Sequence, residues 1–239
     1  VYTGQDVSTA LKAVPCAWLL PNANLKIAVY EAICTQTVRY VGDIVAVVVA
    51  DTTYQAYDAL DLIQVDYEPL PSVTDPELAL RNGAPQLHAD VPHNEAFHWV
   101  VAGGDVDAAF KNAEVVIKER IVQQRLIPHA MEARAALAQW SGASGELTVW
   151  NTTQNPHILR FLSSVVTGVP EDKLRVIAPE VGGGFGSKIA AYPADFVTMF
   201  CAMRLGRPVK WAETRSENFQ ATTHGRNHVQ EVELAAKKD

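Results

Sequence analysis

The sequence predicts a mixed α and β protein of the α+β class. β-branched apolar runs alternate along the chain with amphipathic stretches that begin at helix-capping residues. Of its 239 residues, 48% are hydrophobic and 20% are charged, with 14 glycines and 13 prolines, a composition typical of folded globular domains. At about 150 residues per domain, this length allows one large domain or two small ones.

The first part of the chain predicts a strand, a helix and a strand in succession. The β-branched apolar run over residues 44–50 is typical of a strand covered on both faces. Thr52 and Gln55 have the spacing of a capping box, which predicts a helix from there to about Leu62. Apolar and polar residues then alternate over residues 63–68, as in a half-exposed strand.

A proline-rich stretch follows over residues 68–100. Because proline removes helix and strand hydrogen bonds, this stretch predicts a surface linker between two domains. Its prolines are Pro69, Pro71, Pro76, Pro85 and Pro92. His88, His93 and His98 recur in it at a spacing that fits neither a helix face nor a strand face, which favours a solvated loop over a metal site.

The second part alternates strands and helices. Strand patterns cover residues 115–126, 134–140, 146–151, 174–178, 208–212 and 229–236. Asn155 as a cap, Pro156 in the first turn and Gly168 at the end predict one helix. An apolar helix runs from near Pro193 to Gly206.

Charged and imidazole side chains outside the loops show no catalytic pattern. Thr214 and Glu217 fit a capping box, so the cluster of Glu213, Arg215 and Glu217 is interpreted as a helix start. His129 and His157 neighbour prolines without a recognisable serine or cysteine partner, so a nucleophilic triad has no support.

Two loops follow strands and precede helices, which is where ligands bind in sheets with helical crossovers. They are residues 152–155 and 182–187. Glycines in the second loop allow positive φ and a close backbone approach, so its amides are candidate donors to an anionic oxygen. A tight turn packed against the sheet is an equally good interpretation. The glycine spacing matches no dinucleotide fingerprint, and Lys188 followed by Ile189 matches no P-loop.

Gln154 lies at a strand end, just before the predicted helix cap. Its side-chain amide is able to donate to an oxo group or a carbonyl without adding charge. The alternative is a hydrogen bond to nearby backbone, and the position on the same edge as the glycine loop favours the functional interpretation.

Charge and cysteine usage narrow the class of protein. A formal charge of -7 argues against nucleic-acid binding. Three widely spaced cysteines without a C-x-x-C pair argue against a disulfide framework, a zinc site or an iron–sulfur site, and favour a reducing, cytoplasmic compartment. The sequence shows no membrane span and no signal peptide.

Several motifs in combination resemble the molybdopterin-binding large subunit of the xanthine dehydrogenase and aldehyde oxidase family. They are TTQNPH, RVIAPEVGGGFGSK, RPVKWAETRSENF and HGRNH, and they are most similar to the bacterial three-subunit members, including carbon monoxide dehydrogenase large subunits. The resemblance implies an N-terminally truncated α/β hammerhead-like domain over residues 1–80 and a linker over 81–98. A C-terminally truncated molybdopterin-binding domain then covers residues 99–239.

The resemblance implies roles for residues of both loops. Gln154 matches the glutamine that contacts the oxo ligand of molybdenum, and Phe185 and Gly186 match the pair whose backbone lies against that centre, with Gly184 in the same cofactor-binding loop. Ile189 stands in the substrate pocket where purine-oxidising members carry a glutamate, so a less polar substrate is expected.

The resemblance also implies cofactors and partners. Molybdopterin in its cytosine dinucleotide form is expected here, with 2Fe-2S clusters and FAD on an iron–sulfur small subunit and an FAD medium subunit. The expected reaction is oxidation of an aldehyde, an N-heterocycle or carbon monoxide with water-derived oxygen. The family's glutamate base falls beyond Asp239, so this chain holds no catalytic residue and is expected to be inactive alone. A non-catalytic assembly module and a nucleotide-binding enzyme that uses the glycine loop are the alternatives.

Overall fold

Few regular elements occur in the N-terminal part of the chain. The structure is a computed structural model that describes residues 1–16 and 24–238. The first elements are β1 (Tyr2–Thr3), α1 (Gly4–Ser8), β2 (Ala46–Val47) and α2 (Thr53–Leu60). The predicted capping box opens α2, because Thr52 Oγ1 accepts the Gln55 N–H at 3.3 Å and Gln55 Oε1 accepts the Thr52 N–H at 3.1 Å.

The predictions of strands over residues 44–50 and 63–68 are largely wrong. Residues 44–50 contribute only β2, which pairs antiparallel with β1, and residues 44–49 are half-buried rather than covered on both faces. Residues 63–68 form no strand, and residues 64–68 are exposed. A strand forms only where a neighbouring strand takes up its backbone hydrogen bonds, and an alternating pattern does not supply that neighbour.

Residues 68–100 run mostly without regular structure and are mostly exposed. They include α3 (Pro76–Ala79) and a short 3-10 helix at Pro92–Asn94. Asp75 caps α3, accepting the N–H groups of Glu77 at 2.8 Å and Leu78 at 2.9 Å. The division into residues 1–80, 81–98 and 99–239 stays a prediction, and its residues 17–23 and 239 lie outside the described part of the chain.

The remaining part shows the predicted alternation of strands and helices. Its elements are α4 (Val106–Lys111), β3 (Val115–Leu126), β4 (Ala135–Ser141), β5 (Glu146–Asn151), α5 (Pro156–Thr167), β6 (Leu174–Ile177), α6 (Pro193–Leu205), β7 (Val209–Ala212), α7 (Arg215–Ala221) and β8 (Gly225–Ala236). A four-stranded sheet has the order β6-β5-β4-β7. β5 and β6 are parallel, and β4 is antiparallel to β5 and β7. The mixed α and β class is thereby confirmed.

The two long helices begin and end where the sequence predicted. Pro156 lies in the first turn of α5, and Gly168 ends that helix in the left-handed region at φ 75°. Gly206 ends α6 in the same way at φ 61°. A glycine adopts this conformation without the steric cost that a Cβ atom brings. Asn155 precedes α5 as predicted, but its side chain makes no capping hydrogen bond.

One hydrophobic core joins the sheet, α5, α6 and the N-terminal segment. Its most deeply buried large side chains include Leu147, Val149, Val166, Phe196 and Met199. Val7, Leu11 and Ile33 belong to the same core. Tyr2 packs edge to face on Phe200, with 5.2 Å between the ring centroids. The N-terminal segment is therefore anchored on α6 beside the sheet.

β3 and β8 form a separate antiparallel ribbon. Their register runs from Val115 opposite Ala236 to Leu126 opposite Gly225. The ribbon exposes apolar side chains, among them Val122 at 64% and Leu234 at 60%. Among the described residues, no helix is both long enough and apolar enough to cross a bilayer.

Candidate functional site

The two predicted loops meet at one edge of the sheet. β5 and β6 are parallel neighbours, so their carboxyl ends lie at the same edge. Residues 152–155 continue from β5 into α5, and residues 178–192 connect β6 to α6. The sequence predicted Gln154 and the glycine loop at one edge, and the structure brings them into direct contact.

Gln154 holds the glycine loop through the oxygen of its side-chain amide. Oε1 accepts the N–H of Gly186 at 3.0 Å and the N–H of Lys188 at 3.2 Å. Only the oxygen is able to accept, so these donors determine which way the amide faces. Nε2 has no hydrogen-bond partner among the described residues, and Gln154 is exposed. The structural and functional interpretations of Gln154 are therefore compatible, because the oxygen binds backbone while the NH₂ group stays available.

The backbone of Lys188 connects the two loops. Its carbonyl accepts the Gln154 N–H at 2.8 Å and the Thr153 hydroxyl at 3.2 Å. Its ammonium is buried and pairs with Glu132 Oε2 at 2.7 Å. Glu132, which lies just before β4, also accepts the N–H of Gly182 at 2.8 Å. Lys188 therefore takes part in both attachments of the glycine loop.

The tip of the glycine loop holds backbone N–H groups that make no hydrogen bond within the described residues, with Gly184 buried and Phe185 exposed. Gly183 and Gly186 have φ values of 97° and 92°, and Phe185 adopts φ 51° with a side chain 73% exposed. The N–H groups of Gly183, Gly184 and Phe185 have no hydrogen-bond partner within the residues that the structure describes. Consecutive backbone donors of this kind are suited to an anionic oxygen.

Gly184 lies too close to Gln154 to carry a side chain. A Cβ atom at this position would lie 2.3 Å from Gln154 Oε1 and 2.5 Å from its Cδ. Glycine is therefore required here by the close approach of the two loops. Positive φ is the requirement at Gly183 and Gly186 instead.

Ile189 follows the glycine loop and is 40% exposed. With Asn155 and Ile158 it forms part of the wall of a cavity of about 980 Å³. Most other residues of this wall come from the N-terminal part and from the 87–96 region. Ile189 thus lies at a cavity beside the predicted site, and its role in a substrate pocket stays a prediction.

A buried polar network supports the loop from behind. The Tyr192 hydroxyl donates to the Ser187 carbonyl at 2.5 Å and accepts the Thr223 N–H at 3.0 Å. Asp195 accepts the Tyr192 N–H at 2.9 Å and Asn151 Nδ2 at 2.7 Å. Burial raises the pKa of Asp195, although these hydrogen bonds oppose the shift. The network joins the end of β5 to the start of α6.

The interpretation of Glu213 as part of a helix start needs correction. Glu217 does cap α7, where Thr214 Oγ1 accepts its N–H at 3.2 Å. Glu213 is instead buried and ion-paired with Arg134, whose Nε donates to Glu213 Oε1 at 3.0 Å. The Arg134 guanidinium also lies 3.8 Å from the centroid of the Tyr192 ring. Local sequence patterns do not reveal this pair, because its members are 79 residues apart.

The histidines of the 68–100 stretch do not assemble a site. Within residues 1–16 and 24–238, the structure shows no cluster of histidine, cysteine, aspartate and glutamate suited to a metal ion. Burial lowers the pKa of His88, which lies in the cavity wall. Glu132 and Lys188 are the other residues of the site whose roles were not predicted, although Lys188 lies within the quoted motif RVIAPEVGGGFGSK.

Two family models match the chain. Residues 87–239 match the model of the molybdopterin cofactor-binding domain. Residues 3–71 match the model of the aldehyde oxidase and xanthine dehydrogenase a/b hammerhead domain. The first match contains Gln154 and the whole glycine loop.

The chain is also similar to individual proteins. It is 39% identical over 224 residues to the carbon monoxide dehydrogenase large chain of Afipia carboxidovorans, covering 88% of this chain and 28% of that protein. It is 35% identical over 202 residues to the nicotine 6-hydroxylase large subunit of Paenarthrobacter nicotinovorans, covering 84% and 25%. The structure matches quinoline 2-oxidoreductase from Pseudomonas putida with a TM-score of 0.87 and 32% identity, covering 99% of this chain and 30% of that one. The chain thus spans less than a third of the length of these relatives.

Proposed function

Because this chain belongs to the aldehyde oxidase and xanthine dehydrogenase family, we propose that it forms one wall of the cofactor site in a molybdenum hydroxylase large subunit. The observation that carries the proposal is the contact between Gln154 and the glycine loop. It joins two loops that resemble cofactor-binding motifs of the family, inside the matched molybdopterin cofactor-binding domain. The matches support this proposal over the assembly-module and nucleotide-binding alternatives.

The donor set fits a molybdenum cofactor. Gln154 Nε2 and the N–H groups of Gly183, Gly184 and Phe185 are all donors without a partner in the described residues. Oxo, phosphate and pterin carbonyl oxygens are acceptors. All of these donors are uncharged, so they bind an acceptor without neutralising it. Glycine at position 184 lets the Gln154 side chain pack directly against the loop backbone, since a Cβ there would lie 2.3 Å from Gln154 Oε1.

Each of these residues has its own part in the proposed site. The cofactor, when bound, supplies the redox chemistry by which the substrate is oxidised with oxygen from water. Gln154 is held by its Oε1 and directs Nε2 toward the cofactor, so this donor needs no reorganisation during the reaction. Gly184 and Phe185 offer backbone N–H groups to the cofactor, and Gly186 uses its own N–H to hold Gln154 Oε1. Ile189 adds an apolar side chain beside the loop.

Substrate, partners and location follow from the family resemblance. The substrate is an aldehyde, an N-heterocycle or carbon monoxide, and Ile189 favours a less polar one. Small and medium subunits that hold 2Fe-2S clusters and FAD would accept the electrons, and the cofactor would carry a cytosine dinucleotide. The relatives' names identify them as large subunits, which supports the existence of such partners. Widely spaced cysteines support a cytoplasmic location.

A segment exchange tests the proposal. The chain replaces the matching segment of the carbon monoxide dehydrogenase large chain, and the chimera is produced in A. carboxidovorans in place of its own large chain. We expect molybdenum in the purified chimera by mass spectrometry of metals. Gln154→Ala should lower turnover by about 100-fold, as loss of a preorganised donor commonly does. A folded chimera without molybdenum would contradict the proposal.

Two controls separate the role of Gln154 from a loss of fold. Gln64→Ala removes an exposed glutamine outside both loops and should leave turnover unchanged. Circular dichroism of Gln154→Ala should match that of the unsubstituted chimera. Unchanged turnover in Gln154→Ala would show that this side chain is only structural. The isolated 239-residue chain, given cofactor and aldehyde, is expected to show no hydroxylation.

A further inference from the structure

Glu132 contacts both ends of the glycine loop. Its carboxylate oxygen Oε2 accepts the N–H of Gly182 at 2.8 Å and the ammonium of Lys188 at 2.7 Å. Its own N–H donates to the Gly182 carbonyl at 3.2 Å. One side chain just before β4 therefore links the two ends of the segment from Gly182 to Lys188.

The burial of Lys188 makes this attachment strong. The Lys188 side chain is 1% exposed and that of Glu132 is 34% exposed. Exposed ion pairs contribute little to stability, whereas a buried charge that loses its partner is strongly unfavourable. Within residues 1–16 and 24–238, Glu132 is the only acidic residue that pairs with Lys188. The ammonium is therefore held where the carboxylate is.

Gly182 is packed tightly enough to transmit the position of Glu132. A Cβ atom on Gly182 would lie 2.6 Å from Glu132 Cβ. At the other end of the loop, Lys188 N–H and C=O bond to Gln154 Oε1 and N–H. A displacement of Lys188 would therefore disturb the hydrogen bonds that Gln154 makes.

We propose that Glu132 is a positioning residue that holds the glycine loop in the conformation that leaves the N–H groups of Gly183, Gly184 and Phe185 without an acceptor in the described residues. It acts through Gly182 and Lys188 and touches no ligand itself. The assignment of these N–H groups to a cofactor rests on the proposed function. The positioning of the loop does not, because every contact in the argument lies within this chain.

Native-state hydrogen exchange of the cofactor-free chain tests the proposal. Glu132→Gln keeps an oxygen for the Gly182 N–H but removes the negative charge beside Lys188. The amides of Gly186 and Lys188 report on the loop, and those of the central strand β5 report on global unfolding. We expect exchange at Gly186 and Lys188 to accelerate about tenfold or more beyond any change in β5, since a charge-assisted bond is lost.

Two matched variants distinguish loss of the Glu132–Lys188 charge pair from other effects on the loop. Glu180→Gln removes an exposed carboxylate that precedes the same loop and has no ion pair among the described residues, so it should change neither set of amides. In a Lys188→Met background, Glu132→Gln should cause little further acceleration of amide exchange in the loop, because the charge pair is already gone. Exchange that accelerates equally in the loop and in β5, or that does not accelerate in the loop, would overturn the proposal.

A second variant covers the case in which Glu132→Gln does not fold. Glu132→Asp keeps the charge and withdraws it by one methylene, so loop exchange should accelerate by less than in Glu132→Gln. Exchange in the loop is again compared with exchange in β5, and only a larger acceleration in the loop supports the proposal. No cofactor takes part, so failure of the proposed function in the chimera leaves this result unaffected.

Discussion

Replacing Gly184 with alanine should displace the Gln154 side chain from the glycine loop. The added Cβ would lie 2.3 Å from Gln154 Oε1, 2.5 Å from its Cδ and 2.8 Å from its Cγ. All these distances are far below van der Waals contact. Gly184 has no positive φ, so alanine meets no backbone penalty there. The Gln154 side chain must therefore swing away, and it then loses its bonds to the N–H groups of Gly186 and Lys188.

The size of the effect follows from those lost bonds. With a net contribution of about 0.5–1.5 kcal/mol from each hydrogen bond, Gly184→Ala should lower the free energy of unfolding by roughly 1–3 kcal/mol. For a chain of this size the Tm should fall by roughly 2–12 °C. Gly103→Ala is the matched control, because its Cβ would meet nothing within 4 Å and its φ is not positive. That substitution should be neutral or slightly stabilising.

A double-mutant cycle, measured by urea unfolding, tests whether the clash with Gln154 causes the destabilisation by Gly184→Ala. Gln154→Ala loses the same bonds as Gly184→Ala. The double variant should therefore be no less stable than Gln154→Ala alone, because the clash has been removed together with its partner. The opposite result is that the losses in free energy of unfolding from Gly184→Ala and Gln154→Ala simply add in the double variant. The clash with Gln154 would then not be the reason that position 184 requires glycine.

Two further predictions concern buried titrating groups. Cys201 is 1% exposed and its burial raises the thiol pKa to about 11, so iodoacetamide should not modify it in the native chain, while the exposed Cys16 reacts. Mass spectrometry of labelled peptides measures this, and equal labelling of both thiols would contradict it. Burial raises the pKa of Asp195 above 3.8, so its contribution to stability is present below that value and is lost as pH rises through the folded-state pKa. Asp195→Asn should therefore lose less stability than the unsubstituted chain as pH rises from about 4 toward 7 in urea titrations, and parallel pH profiles would argue against the shift.

The sequence predicted the locally determined elements well. The strand over residues 115–126 and the ends of α5 and α6 agree with the structure. Caps and terminating glycines act within a few residues, so a short stretch of sequence contains all the information they need. Residues 63–68 show the opposite case, where a strand-like alternation found no neighbouring strand to pair with.

The candidate site was predictable in part. The sequence indicated Gln154 and the glycine loop because strand ends, a helix cap and clustered glycines are visible locally. It did not reveal that Gln154 Oε1 binds the loop while Nε2 stays available, because either group of an amide is able to face a neighbour. Nor did it reveal the role of Glu132, which lies 56 residues before Lys188.

By itself, the sequence determined the mixed α and β class, most elements of the second part and the membership of a family, since these depend on periodicity, caps and motifs. Only the tertiary structure decided which charges pair and which amides have no partner in the described part of the chain. The pairs Glu132–Lys188 and Arg134–Glu213 join residues 56 and 79 positions apart. The physical reason is that such pairs depend on the order and direction of strands in the sheet, which no local segment specifies.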